Sequence, residues 1–125
     1  MKIDQDLRYS EDHLWVRKTA EGEYQAGITD YAQDLLGDIV FVEFPEIGAH
    51  IEAKKPCGLV ESVKTGSDLH APISGVVTEI NTTLQVNPEQ INDAPYKAWI
   101  FKFQANDGAT EEQLLSADAY QALVG

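Results

Sequence analysis

One lysine stands where a covalent chemistry could be built. Lys64 falls within Glu61-Ser62-Val63-Lys64-Thr65-Gly66-Ser67-Asp68, between two runs of strand-forming residues. Val63-Lys64-Thr65-Gly66 has the make-up of a tight turn: Gly66 can take positive φ without steric cost, and Ser67 and Asp68 can hydrogen-bond the local backbone. Strands on either side would hold the amine away from the body on a rigid base. Unmodified, that amine is a cation in water. A solvated hairpin lysine is the ordinary reading, and the turn alone does not exceed it.

The other reactive residues offer less. His13, His50 and His70 are not at metal-ligand spacing and no second cysteine supports them, so no metal site is expected. Cys57 precedes a glycine at a strand start, which suits a small buried hydrophobe better than a nucleophile. The glycines form no G-x-G pair, so dinucleotide and P-loop fingerprints are absent, as is the G-x-S-x-G elbow. Carboxylates are too many for their spacing to inform. The chain is not expected to be an enzyme.

With 21 acidic and 9 basic residues the net charge is −12. That surface repels phosphate backbones and anionic lipid, so neither a nucleic-acid nor a membrane partner is expected. It suits transient docking onto proteins with basic grooves, where charge speeds encounter. The 125 residues suffice for one domain, 1–125, with a real core. The single cysteine excludes an internal disulfide. The N-terminal residues lack the apolar stretch of a signal peptide, so a cytoplasmic protein is expected, as a monomer.

The elements that must position Lys64 read as mainly β. Leu14–Arg17 and Tyr24–Ile28 form a hairpin across Ala20-Glu21-Gly22. Residues 29–36 take helical spacing, capped by Thr29 or Asp30 and closed by Gly37. Strands follow over 39–44, 57–63, 76–80 and 99–103, with loops at Asn87-Pro88 and 92–95. Thr110-Glu111-Glu112-Gln113 is a capping box that predicts a terminal helix carrying Leu114, Leu115 and Leu123.

Taken together, these residues resemble the H protein of the glycine cleavage system, within the lipoyl and biotinyl carrier fold. The most specific stretch is 58–75, Gly-Leu-Val-Glu-Ser-Val-Lys-Thr-Gly-Ser-Asp-Leu-His-Ala-Pro-Ile-Ser-Gly. His13 with Trp15, residues 27–33 and 36–42, and Asn92 with Pro95-Tyr96 support it, and the likeness runs from Tyr9 to about Leu123. It implies a flattened β-barrel, the barrel-sandwich hybrid motif, with a short helix near 29–36 and a C-terminal helix. It implies lipoate joined by an amide to Lys64, as a swinging arm that carries an intermediate between enzymes without catalysing anything itself. Biotin carriers typically flank the lysine with methionines; Val63 and Thr65 favour lipoate. By the same resemblance, Glu61 and Gly75 help a lipoate ligase or lipoyl transferase find the lysine. Asp12, His13, position 14 and Asp68 lie where the loaded arm docks.

Departures from the family pattern bear on the cargo. Where the family has His-Glu-Trp, this chain has His13-Leu14-Trp15, and that glutamate is implied to hold the amine of an aminomethyl-loaded arm. Leucine offers no charge-assisted bond, worth roughly 1.5–3 kcal/mol, although Asp12 lies nearby. Residues 95–99, Val86 and Gln90 also depart, at what reads as the arm-docking end. Leu14 tips the reading slightly toward a lipoate-binding protein of bacterial sulfur oxidation. Its partners would be a heterodisulfide-reductase-like complex and dihydrolipoamide dehydrogenase. The close alternative is glycine cleavage, with glycine decarboxylase, aminomethyltransferase and the same dehydrogenase. An unmodified binding or regulatory module is a third reading, which the intact Glu61–Lys64 turn opposes.

Overall fold

A computed structural model describes residues 1–125. Nine strands form two antiparallel sheets. The larger runs β1 (Arg8–Tyr9), β2 (Leu14–Ala20), β3 (Glu23–Ile28), β9 (Phe101–Ala105), β8 (Gly75–Ile80) and β5 (His50–Ile51) in spatial order. The smaller runs β4 (Ile39–Glu43), β6 (Pro56–Ser62) and β7 (Gly66–His70). Inward residues of both sheets, among them Val16, Ile39, Val60, Leu69, Val77 and Phe103, form one continuous core. The chain therefore folds as the flattened, mainly β sandwich expected.

Strand alternation gives β2 a second task. Leu14 and Val16 face the central core, so Trp15 must face the opposite side. There it is covered by α4 (Ala117–Val124), through Tyr120 and Ala117, with Leu7 and Tyr9. Tyr9 and Tyr120 stack with ring centroids 4.6 Å apart. Burying side chains of this size is worth roughly 1.5–3 kcal/mol each, which fixes the terminal helix against β1 and β2.

Helix α1 (Asp30–Leu36) begins where Thr29 accepts a hydrogen bond from the Ala32 amide, and it closes at Gly37, φ +82°. Two single-turn helices, α2 (Thr83–Val86) and α3 (Gln90–Asp93), are additions to the expected elements; they flank the loop at Asn87-Pro88, and α3 takes in Asn92 and Asp93 from the loop expected over 92–95. The last strand begins at Phe101, not Trp99, because the Asn81 side chain holds the Trp99 carbonyl and the Asn81 amide holds that of Ile100. The capping box does not open the terminal helix. It opens a short 3-10 turn, Glu111–Gln113, after which Leu115 exchanges both backbone hydrogen bonds with Tyr9. That bridge breaks the helical run, and α4 starts afresh from its own cap at Ser116. No helix is long and apolar enough to cross a membrane.

Candidate functional site

The β6–β7 hairpin presents Lys64 at its tip, exposed and in no ion pair. Its rigidity comes from a residue the sequence reading did not single out. Ser62 is buried, and its hydroxyl accepts from the Thr65 amide at 3.1 Å and the Lys64 amide at 3.3 Å. It donates to the Thr65 carbonyl at 3.1 Å. Ser67 and Asp68, expected to make the local bonds, make none of them, and Gly66 is an ordinary strand residue without positive φ. The turn closes through the Ser62 amide and the Thr65 carbonyl at 2.7 Å. A signal existed: Ser62 shares the inward face with Val60 two residues earlier, and a buried hydroxyl must find partners.

The hairpin is braced against α1. The Val63 amide donates to the Asp38 carbonyl at 3.0 Å. The corner carrying Asp38 is held by Asn92, which accepts from the Ile39 amide and donates to the Gly37 carbonyl and the Gln33 side chain, each at 2.9 Å. No local pattern reveals a bond between residues 55 apart in sequence. Lys64 itself lies across Gly37: a Cβ built there would stand 3.4 Å from its Cε. An arm extending from Lys64 therefore starts from a fixed backbone, over the end of α1.

Asp12, His13, Leu14 and Asp68 are brought together in one small cleft of about 110 Å³. Val60 and Ser67 of the hairpin line it, as do Ala32, Leu35 and Leu36 of α1. Its apolar wall suits an aliphatic chain, and the exposed Asp12 and Asp68 supply acceptors and negative charge. Burial lowers the proton affinity of His13, against the opposing pull of the Asp12 carboxylate. Three larger grooves, of about 500, 520 and 410 Å³, run along β4 with α2, beneath α4, and beside residues 92–97.

The structure removes the argument that gave Leu14 its weight. Its side chain is only 1% exposed and belongs to the central core, paired with Ile28 across the β2–β3 ladder. The residue thus has a packing reason to be apolar, while carboxylates remain at 12 and 68. Nor do the other departures cluster at the docking end: Val86, Gln90 and residues 95–99 do not line the cleft. The 95–99 loop is instead clamped outside the larger sheet, where the Pro95 carbonyl accepts from Trp15 Nε1 at 2.9 Å and that of Tyr96 accepts from Arg17 at 2.8 Å.

Glu61 and Gly75 occupy different settings. Glu61 is exposed beside the tip, opposite Gly66. Gly75 is buried in β8, and a Cβ there would stand 2.3 Å from the Gln104 carbonyl oxygen, so sheet packing by itself demands glycine. Cys57 is half-buried, and desolvation pushes its thiol up to about 11, which suits the packing role expected of it.

Comparison with known proteins agrees along the whole chain. The profile of a family described as "Glycine cleavage H-protein" matches residues 7–125. The chain is 59% identical over 125 residues to a glycine cleavage system H protein of Methylobacillus flagellatus, covering 100% of both. It is 49% identical over 123 residues to one from Escherichia coli O7:K1, covering 98% of this chain and 95% of the relative. Among solved structures, a glycine cleavage system H protein from Mycobacterium marinum superposes with a TM-score of 0.88 at 40% identity, covering 98% of this chain and 99% of that one.

Proposed function

The chain belongs to the glycine cleavage H-protein family, and from that premise we propose that it is the lipoyl carrier of a glycine cleavage system, with lipoate bound through an amide to Lys64. The observation that carries this is the hairpin tip: a free, exposed lysine on a turn locked by Ser62 and braced by Asp38. When bound, lipoate supplies a dithiolane on a long flexible arm that can carry an aminomethyl group between enzymes.

The protein's own residues fix the base of that arm, offer a shallow dock, and present a surface to partners. Glu61, exposed on β6 between Phe41 of β4 and Gly66 of β7, is the side chain a lipoate ligase or lipoyl transferase would read beside the tip. Gly75 serves that recognition at most by holding β8 in place. Asp12, His13, Leu14 and Asp68 form the dock, with the two carboxylates receiving an amine and Leu14 backing the apolar wall. The net charge of −12 favours fast, transient encounters with glycine decarboxylase, aminomethyltransferase and dihydrolipoamide dehydrogenase. The relatives carry the glycine cleavage name, and the buried Leu14 no longer favours the sulfur-oxidation reading.

The test has two stages. Protein made with lipoate and a ligase should gain one lipoyl mass that Lys64→Ala abolishes; an unshifted mass would end the carrier reading. The lipoylated protein should then support glycine turnover with glycine decarboxylase and aminomethyltransferase, and a loaded protein that both enzymes ignore would refute the glycine assignment.

A further inference from the structure

A line of hydrogen bonds joins the dock to the terminal helix, and donation along it runs one way. Thr29 is fully buried, and its hydroxyl oxygen accepts from the Ala32 amide at 3.2 Å. The one partner for its own proton is the Tyr120 hydroxyl oxygen, at 2.8 Å. Tyr120, also buried, then donates onward, and His13 Nδ1 accepts at 2.9 Å. Reversing the line would leave the Thr29 proton buried without an acceptor, which native interiors avoid. With Nδ1 accepting, the imidazole carries its proton on Nε2. That nitrogen has no partner in the chain, yet it is not sealed from solvent, since no buried side-chain nitrogen or oxygen lacks a hydrogen bond.

The His13 backbone is fixed as firmly. It sits at φ +69°, a region few non-glycine residues occupy. Its amide donates to the Ser10 carbonyl at 3.2 Å, and its carbonyl accepts from the Thr29 amide at 3.0 Å. Strained backbone held from both sides, with the ring tethered at a third point, indicates a side chain whose placement matters.

We propose that Tyr120 is a positioning residue for the dock: from the terminal helix it holds His13 neutral, its proton on Nε2, as a hydrogen-bond donor in the cleft that contains Asp12 and Asp68. The docking role rests on the lipoyl-carrier reading; the tautomer does not. The groups facing His13 are Asp12 from its own loop, Tyr31 of α1 with ring centroids 5.0 Å apart, Tyr120 of α4, and Asp68 of β7 in the same cleft. A neutral imidazole suits an arm bearing an amine. The carboxylates take the N–H groups, Nε2–H serves an acceptor elsewhere on the arm, and no added positive charge repels the cargo. Protonating Nδ1 would set two donors face to face and break the link to α4, so the dock and the terminal helix are coupled.

Nitrogen-15 NMR of the full, unmodified chain with labelled histidine tests the relay, with the His13 signal identified by its loss in His13→Gln. Wild type should show the Nε2–H tautomer at pH 8. Tyr120→Phe keeps the ring on Tyr9; it should give a tautomer mixture and raise the His13 midpoint by about 0.5–1 unit, as loss of one hydrogen bond to the neutral form requires. An Nδ1–H tautomer in wild type overturns the proposal even if the variant does not fold. So does a Tyr120→Phe protein with unchanged tautomer and midpoint. On protein shown by mass to be lipoylated, the His13 Nε2 signal should shift. A signal indifferent to the arm overturns the docking role, while the tautomer result and the mass result each stand separately.

Discussion

The Lys64 side chain lies over Gly37, whose absent Cβ would stand 3.4 Å from Lys64 Cε and 3.8 Å from Nζ. The backbone requires glycine there, at φ +82° and ψ −159° at the end of α1, while the lysine stem passes at van der Waals distance from where a Cβ would stand. Gly37→Ala places a methyl in a backbone region essentially reserved for glycine, at a cost of about 1–3 kcal/mol, and lays that methyl against the lysine stem. The melting temperature should fall by a few degrees, and lipoylation should slow by more than that loss of fold explains. Undiminished lipoylation kinetics would show that the lysine stem does not need that path.

Ser62→Ala tests the turn. It removes one hydroxyl that serves the Lys64 and Thr65 amides and the Thr65 carbonyl from a site only 7% exposed. A destabilisation of about 1–2 kcal/mol is expected in urea melts. Amide exchange at Lys64 and Thr65 should quicken selectively, while the β2–β3 ladder stays protected. Uniform loss of protection would mean that the hydroxyl supports the whole fold and not the hairpin tip.

Residues 58–75 made the hairpin and its lysine legible, because strand alternation and turn composition are local signals. The details that lock the hairpin were not. Ser62 took the role read for Ser67 and Asp68, since which face a side chain occupies decides whether it can reach the turn. Asn92 and Tyr120 act on residues 55 and 107 positions away, beyond any local pattern. The capping box misled because Leu115 gains more by bridging to Tyr9 than by extending the 3-10 turn into a helix. Leu14 misled because a substitution beside a functional motif reads as chemistry until its burial is known.

That burial makes Leu14→Glu a test of structure against cargo. Replacing a core leucine with a carboxyl forfeits its burial and desolvates an acid, a loss of about 3 kcal/mol or more in urea denaturation. A variant within about 0.5 kcal/mol of wild type would instead mean that side chains at 14 reach water in the cleft, as a surface substitution does.

Cys57 should be a poor nucleophile. Desolvation raises its thiol from 9.0 to about 11, and thiolate is the reactive form. At pH 8, alkylation by iodoacetamide should run at least about tenfold slower than for a free cysteine, and should recover in urea. Equal rates in native and unfolded protein would contradict the burial.

The stability profile should fall on both sides of neutrality, for different residues. His13 has a folded proton affinity below its unfolded one, because burial disfavours the imidazolium. The unfolded chain therefore binds the proton first, so this contribution is complete above about pH 6.5 and is lost as pH falls through the lower folded value. Tyr24 and Tyr120 behave in the opposite sense: burial pushes both up to about 12, so their contribution holds below about pH 10 and fades as pH rises toward the folded value. Urea midpoints measured from pH 8 down to 5 should decline, and His13→Gln should flatten the upper part of that decline whatever its own baseline stability. An unchanged slope between pH 6.5 and 5.5 in His13→Gln would show that His13 does not contribute to the acid sensitivity.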